Sequence, residues 1–173
     1  MELNPIKPVD NLATMLILLA CLVQTVSSLT VATTTTAQST VRLGAAEVRR
    51  HLSDATSVRP SLATLASPTS LSTLLTSGPV LLVLNATEAL LFAPSSSSLA
   101  PPPLGYTLSH PSDDLTLIIG ADSQHALYGA YAYLEVLGFT FTSAGPTVPA
   151  SSQLNYPATG WEVAATPSFT TRG

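Results

Sequence analysis

Residues 115–142, LTLIIGADSQHALYGAYAYLEVLGFTFT, contain the signals that decide the fold. The apolar run at 115–119 is typical of a buried strand. Asp122 or Ser123 can cap the start of a helix. Gly138 stands where helices end in the left-handed conformation. Residues 139–142 then predict a second strand, so this stretch indicates a strand, a helix and a strand in succession.

The helix within this stretch has an apolar stripe and a low surface. Gly129 and Ala130 carry almost no side chain, so the helix can pack closely on a sheet. The stripe that the helical spacing predicts consists of Leu127, Tyr131, Leu134 and Leu137 or Gly138.

The part of the chain before residue 115 supplies the strands and the helix that we expect to pack with this strand-helix-strand segment. We predict strands at 29–37, 80–84 and 104–109, the last forming a hairpin with 115–119 around the turn at 111–114. Ala45, Val48, Leu52 and Ala55 recur at helical spacing and predict an amphipathic helix over 41–55. Residues 56–78 indicate a Ser/Thr/Pro-rich connection with a short helix on its leucines, and 93–103 a surface insertion. The order predicts an α+β fold, an antiparallel or mixed sheet with two helices on one face.

Composition restricts the class of protein. The chain has 46% hydrophobic and only 9% charged residues, which argues against disorder. Its formal net charge is −4 and Lys7 is its only lysine, so clustered cations for nucleic acid are not available. Cys21, the only cysteine, falls in the N-terminal apolar run.

The N-terminus indicates secretion. Residues 1–28 have a polar start with Lys7, an apolar core at 12–26 and small residues at 26–28, the three regions of a signal peptide. The alternative is an uncleaved signal that anchors the chain at a membrane. Asn85-Ala86-Thr87 is an acceptor triplet for N-glycosylation, placed at the expected end of a strand.

The residues that could take part in catalysis are scattered along the sequence. Asp113 and Asp114 fall in a turn, Asp122 is best explained as a helix cap, and Glu135 as an exposed helix position. His51, His110 and His125 lack the spacing of metal ligands, so we expect neither a metal site nor a cofactor. Tyr128, Tyr131 and Tyr133 crowd one helix and indicate core or interface packing, with a sugar platform as the alternative.

Several short motifs, taken in order, resemble the N-terminal domains of certain glycoside hydrolases. They are LGYTL at 104–108, GAD at 120–122, HALYGAY at 125–131, LEVLG at 134–138, Val148-Pro149, and TPSFTTRG at 166–173. The set is similar to bacterial-type β-hexosaminidases of family 20 and to α-glucuronidases. The last motif resembles the lead into the first strand of their catalytic (β/α)8 barrel.

The resemblance implies a domain plan and a function. Residues 1–28 would be the signal peptide, 29–150 a non-catalytic α+β domain, and 151–173 a linker and the start of a barrel that is absent from this chain. The chain would be an accessory domain of a secreted glycoside hydrolase, inactive alone, with no catalytic residue and with that barrel and carbohydrate as partners. Arg172 would bind sugar hydroxyls only together with the barrel. The alternative is a self-standing, secreted or surface-anchored module that binds carbohydrate or protein.

Overall fold

The computed structural model describes residues 29–92 and 100–167. The predicted signal peptide, the serine-rich part of the insertion at 93–99, and residues 168–173 with Arg172 lie outside the described residues. Among the helices that are described, none has the length and apolar character needed to cross a membrane.

The described chain alternates strands with helices. The strands are β1 (Thr30–Thr34), β2 (Ser61–Leu65), β3 (Val80–Asn85), β4 (Tyr106–Ser112), β5 (Leu115–Gly120), β6 (Thr140–Thr142), β7 (Gly145–Thr147) and β8 (Trp161–Ala165). The α-helices are α1 (Ser39–Thr56), α2 (Pro68–Leu75), α3 (Ala86–Phe92) and α4 (Ser123–Val136), and a short 3-10 helix spans Ser151–Gln153.

Six strands form one mixed sheet in the order β2-β1-β3-β5-β4-β8. β1 pairs in parallel with β2 and β3, and β3 in parallel with β5. β4 runs antiparallel to both β5 and β8. The continuous apolar sequence of β3 fits its central place, because a central strand is covered on both faces.

Each face of the sheet carries its own core. On one face, Leu81, Val83 and Ile118 pack under α1 and α4. On the other face, Leu82, Leu84 and residues of α2 and α3 form a second cluster. The predicted α+β fold, with a mixed sheet and two helices on one face, is confirmed, and two shorter helices cover the opposite face.

The structure differs from the sequence prediction in two places. Residues 56–78 contain the edge strand β2 as well as the short helix α2. The strand predicted at 139–142 corresponds to β6, which among residues 29–92 and 100–167 pairs with β7 alone, in a separate hairpin. The main sheet also includes β8, which pairs with the open edge of β4.

Helix α4 packs closely on the sheet through its small residues. A Cβ on Gly129 would lie 2.9 Å from the Ile118 side chain, so this position requires glycine for the observed packing. The Asp122 side chain caps the helix by accepting from the backbone N–H groups of Gln124 and His125, as predicted. Gly138 has a φ of +104°, which favours glycine where the helix ends.

The predicted stripe is buried at Leu134 and Leu137, whereas the rest of the buried face of α4 lies one residue earlier than predicted. The buried face within the helix consists of Ala126, Gly129, Ala130, Tyr133 and Leu134. Leu127 and Tyr131 are only partly buried at its border. At Gly129 the absence of a side chain allows the helix to approach Ile118 closely, which places that side of the helix against the sheet.

Candidate functional site

A cleft of about 280 Å³ opens at the end of the sheet where β4 turns into β5. We call it the β4–β5 cleft. The amino ends of β1 and β3, the β4–β5 turn, α4 and the segment before β8 form its floor and walls. Its polar and aromatic side chains are His110, Asp113, Asp114, Thr116, Tyr133 and Tyr156.

Backbone hydrogen bonds hold the rim of the cleft in place. The Val80 N–H donates to the Asp114 carbonyl at 2.8 Å, which ties the turn to the start of β3. The Gly160 N–H donates to the His110 carbonyl, also at 2.8 Å. The Thr159 hydroxyl donates to the Asp113 carboxylate. The segment with Tyr156 is therefore fastened over the turn with the two aspartates.

A chain of polar side chains lies at the inner end of the cleft. His110 Nδ1 is 3.0 Å from the Thr116 hydroxyl. Tyr133, which is 3% exposed, lines the same end of the cleft. Burial raises the pKa of Tyr133 far above its ordinary value, so the phenol stays protonated. His110 and Thr116 thus orient one another at this end of the cleft.

Other groups of the cleft have no partner within the described part of the chain. They include the Asp114 carboxylate and Nε2 of His110, while the Tyr156 side chain is 52% exposed. The cleft thus presents a carboxylate acceptor, an imidazole nitrogen and an aromatic ring. Such a set can bind hydroxyl groups and pack against the apolar face of a small ring.

A second depression of about 290 Å³ lies between α1 and the strands β1 and β2. It is lined mainly by threonines and by Arg42, whose guanidinium donates to the Thr35 carbonyl at 2.9 Å. It therefore differs in charge from the β4–β5 cleft.

Asn85 ends β3 as predicted, but its side chain is half-buried at a junction with α3 rather than in an exposed loop. The Glu88 N–H donates to Asn85 Oδ1 at 2.9 Å, and the Asn85 N–H donates to Glu88 Oε2 at 3.0 Å. This reciprocal pair is a capping box. The acceptor triplet thus also serves as the start of a helix.

Glu88 was missed by the sequence analysis. It is 5% exposed and also accepts a hydrogen bond from the Thr34 hydroxyl at the end of β1. A buried carboxylate is tolerated when hydrogen bonds satisfy it, so Glu88 joins β1, β3 and α3. The Asn-x-x-Glu spacing after an apolar run is the signal that could have found it.

The three histidines lie on different elements. His51 is on α1, His110 on β4 and His125 on α4. Among the described residues, no group of three or more His, Cys, Asp or Glu side chains could hold a metal ion.

His51 belongs to the core. It is 1% exposed and its ring packs edge-on against Phe139 and Phe141. Burial lowers its pKa, with the nearby Arg50 adding to that effect. Its Nδ1 has no hydrogen-bond partner among the described residues.

The predicted tyrosine cluster of α4 is divided between different environments. Tyr133 faces the β4–β5 cleft, and the Tyr131 hydroxyl donates to Glu47 of α1 at 3.2 Å. Arg50 donates to the same carboxylate and holds the pKa of Glu47 below its ordinary value. Tyr128 forms an edge-on contact with the His125 ring at the first turns of the helix. Packing explains Tyr131, whereas Tyr133 contributes to a cleft.

Comparison with known proteins found a similar fold but no sequence relative. No family model matches the chain, and no curated protein matches its sequence. Among solved structures, it is similar to a family GH115 4-O-methyl-α-glucuronidase with specificity for decorated arabinogalactans. The TM-score is 0.52 at 16% identity, over 79% of this chain and 17% of that chain.

The similarity concerns one part of a much longer enzyme. At 16% identity it shows the fold alone. The described α+β unit is therefore a fold that also occurs within a glycoside hydrolase.

Proposed function

We propose that the chain is an accessory α+β domain of a glycoside hydrolase that acts in carbohydrate metabolism. The observation that carries this proposal is the correspondence of its fold with 17% of the length of a GH115 glucuronidase. The motifs at 104–108, 120–122, 125–131 and 134–138 support it independently, because they resemble such N-terminal domains.

The described carboxylates support an accessory role. Glycosidases place two carboxyl groups on either side of the bond to be cleaved. Glu88 is buried in a capping box, Glu47 pairs with Arg50, and Asp122 caps α4. Asp113 and Asp114 share a cleft, but they are neighbours in a single turn. We therefore propose that catalysis in such an enzyme would depend on another domain.

Two measurements test the proposed role, one on the transcript and one on the purified protein. The transcript is sequenced beyond the codon for Gly173, and the full chain is assayed with aryl α-glucuronides and aryl β-hexosaminides. We expect a reading frame that continues into a catalytic domain, and no turnover by this chain. Turnover by the purified chain would contradict the accessory role.

The second candidate function is a self-standing module that binds carbohydrate, which the β4–β5 cleft favours. It predicts a stop codon directly after Gly173 together with saturable binding of sugar. A continuing reading frame would contradict it.

We also propose that the chain is secreted after cleavage of residues 1–28. The support is the three-region pattern of this segment and the acceptor triplet at Asn85. N-terminal sequencing of the protein from the medium of a eukaryotic host should begin at Leu29. Retention of the uncleaved chain in the membrane fraction would instead favour a signal anchor.

A further inference from the structure

The charge of the β4–β5 cleft restricts the ligand it can accept. Asp113 and Asp114 lie at its rim, and no arginine or lysine of the described residues lines it. A ligand with its own carboxylate, phosphate or sulfate would approach two carboxylates without a compensating cation. Repulsion between like charges therefore disfavours acidic ligands.

The side chains that remain available suit hydroxyl groups. The Asp114 carboxylate accepts hydrogen bonds only, and a bond to a charged acceptor is stronger than one between neutral groups. The Thr116 and Tyr133 hydroxyls lie at the inner end of the cleft with His110, whose Nδ1 is 3.0 Å from the Thr116 hydroxyl. Hydroxyl and imidazole groups of this kind can form hydrogen bonds with the hydroxyl groups of a ligand.

Aromatic and apolar groups supply the rest of the surface. The side chain of Tyr156 is 52% exposed, and Pro157, Leu29 and Pro79 line the cleft beside it. A sugar ring has one face of C–H groups and an edge of hydroxyls, which matches a wall of this kind opposite polar groups. The volume of about 280 Å³ is just below the range of roughly 300–1,000 Å³ for drug-sized ligands, so it suits a single ring.

We propose that the β4–β5 cleft binds one uncharged sugar ring and rejects uronic acids. The choice of a sugar as ligand rests on the proposed carbohydrate-related function. The cleft would then recognise a neutral part of a glycan.

The test is an NMR titration of the full chain at pH 7 with methyl β-D-galactoside and with sodium D-glucuronate. We expect saturable shifts at His110, Thr116 and Tyr156 with the galactoside, and binding of glucuronate at least tenfold weaker. Tyr156→Ala and Asp114→Asn should each weaken galactoside binding at least tenfold. Matched controls are Leu104→Ala and Asp54→Asn, since both residues are exposed and lie outside the cleft.

Asp114→Asn has a second readout that depends on charge. Removing one carboxylate should reduce the difference in affinity between galactoside and glucuronate, because the cleft then repels the glucuronate carboxylate less strongly. A variant that merely disturbed the turn would weaken the binding of both ligands equally. Circular dichroism checks that the variant is folded.

Three results would overturn the proposal. They are the absence of saturable binding, glucuronate that binds as tightly as galactoside, and shifts that map to the depression around Arg42 instead. None of these decides the accessory role, which depends on the reading frame and on the activity assays. The two proposals can therefore fail separately.

Discussion

Gly120 at the end of β5 lies against Ala126 in the first turn of α4, and a Cβ at Gly120 would come within 1.9 Å of the Ala126 backbone nitrogen. Only a residue without a side chain permits this approach of strand and helix. The contact explains why a glycine stands two residues before Asp122, the cap of the helix.

Gly120→Ala should destabilise the protein more than Gly129→Ala. At Gly129 the new methyl group would meet a side chain of Ile118 at 2.9 Å, whereas at Gly120 it would meet backbone, which cannot rotate away. Overpacking typically costs about 1–3 kcal/mol and occasionally more, and we expect Gly120→Ala at or above that range. For Gly129→Ala, the higher helix propensity of alanine offsets up to about 1 kcal/mol of this overpacking cost. Urea unfolding of both variants measures the difference, and equal free energies of unfolding would contradict the expectation.

Glu88→Ala should lower the free energy of unfolding substantially. The substitution leaves the Asn85 N–H without its acceptor and leaves the buried Thr34 hydroxyl with only its contact to the Thr36 hydroxyl at 3.1 Å. A buried polar group that loses its partner costs roughly 1–3 kcal/mol, so we expect a loss within that range. Glu135→Ala is the matched control, because Glu135 is an exposed residue of α4 and such changes usually stay within about 0.5 kcal/mol. Similar denaturation midpoints for the two variants would show that the Glu88 contacts contribute little.

Thr87→Ala should remove an N-linked glycan without removing the cap of α3. Thr87 is exposed, whereas Asn85 accepts the hydrogen bond from the Glu88 N–H. Asn85→Ala should lose both the glycan and about 1 kcal/mol of stability from the cap. Mass spectrometry of protein from a eukaryotic host and unfolding after enzymatic deglycosylation separate the two effects. An unmodified wild-type protein in the medium would be evidence against glycosylation at Asn85.

Stability should fall as the pH drops below about 6.5, the ordinary pKa of histidine, because burial lowers the pKa of His51 in the folded state. In that range the unfolded chain binds a proton at His51 that the folded protein does not, so the free energy of unfolding decreases with falling pH. The decrease ends once the pH is below the lowered pKa of the folded state.

His51→Gln tests this assignment, since it removes the titrating group while leaving a polar side chain on the same face of α1. Its free energy of unfolding between pH 7 and pH 5 should depend less on pH than that of the wild type. An unchanged slope would assign the pH dependence to other groups. The lowered pKa of Glu47 adds a further loss of stability only at pH values near and below 4.5.

Several elements could be predicted from the sequence because local signals determine them. The spacing of Val48 and Leu52 marks the buried face of α1, and Asp122 and Gly138 mark the two ends of the region that forms α4. The strand β2 could not be predicted, since SLATL has neither strict alternation nor a continuous apolar run. It becomes a strand because the edge of β1 offers it a hydrogen-bonding partner.

The sequence by itself determined the fold class, the two main helices and the central strands, because periodicity and capping act between residues close in the chain. Tertiary structure alone decided the β4–β5 cleft, since it joins Leu29, Asp114, Tyr133 and Tyr156, which are far apart in sequence. It also decided the burial of Glu88, whose partner Thr34 lies on another strand. Local patterns carry no information on which distant side chains will share one cleft, because sheet order and helix packing bring them together.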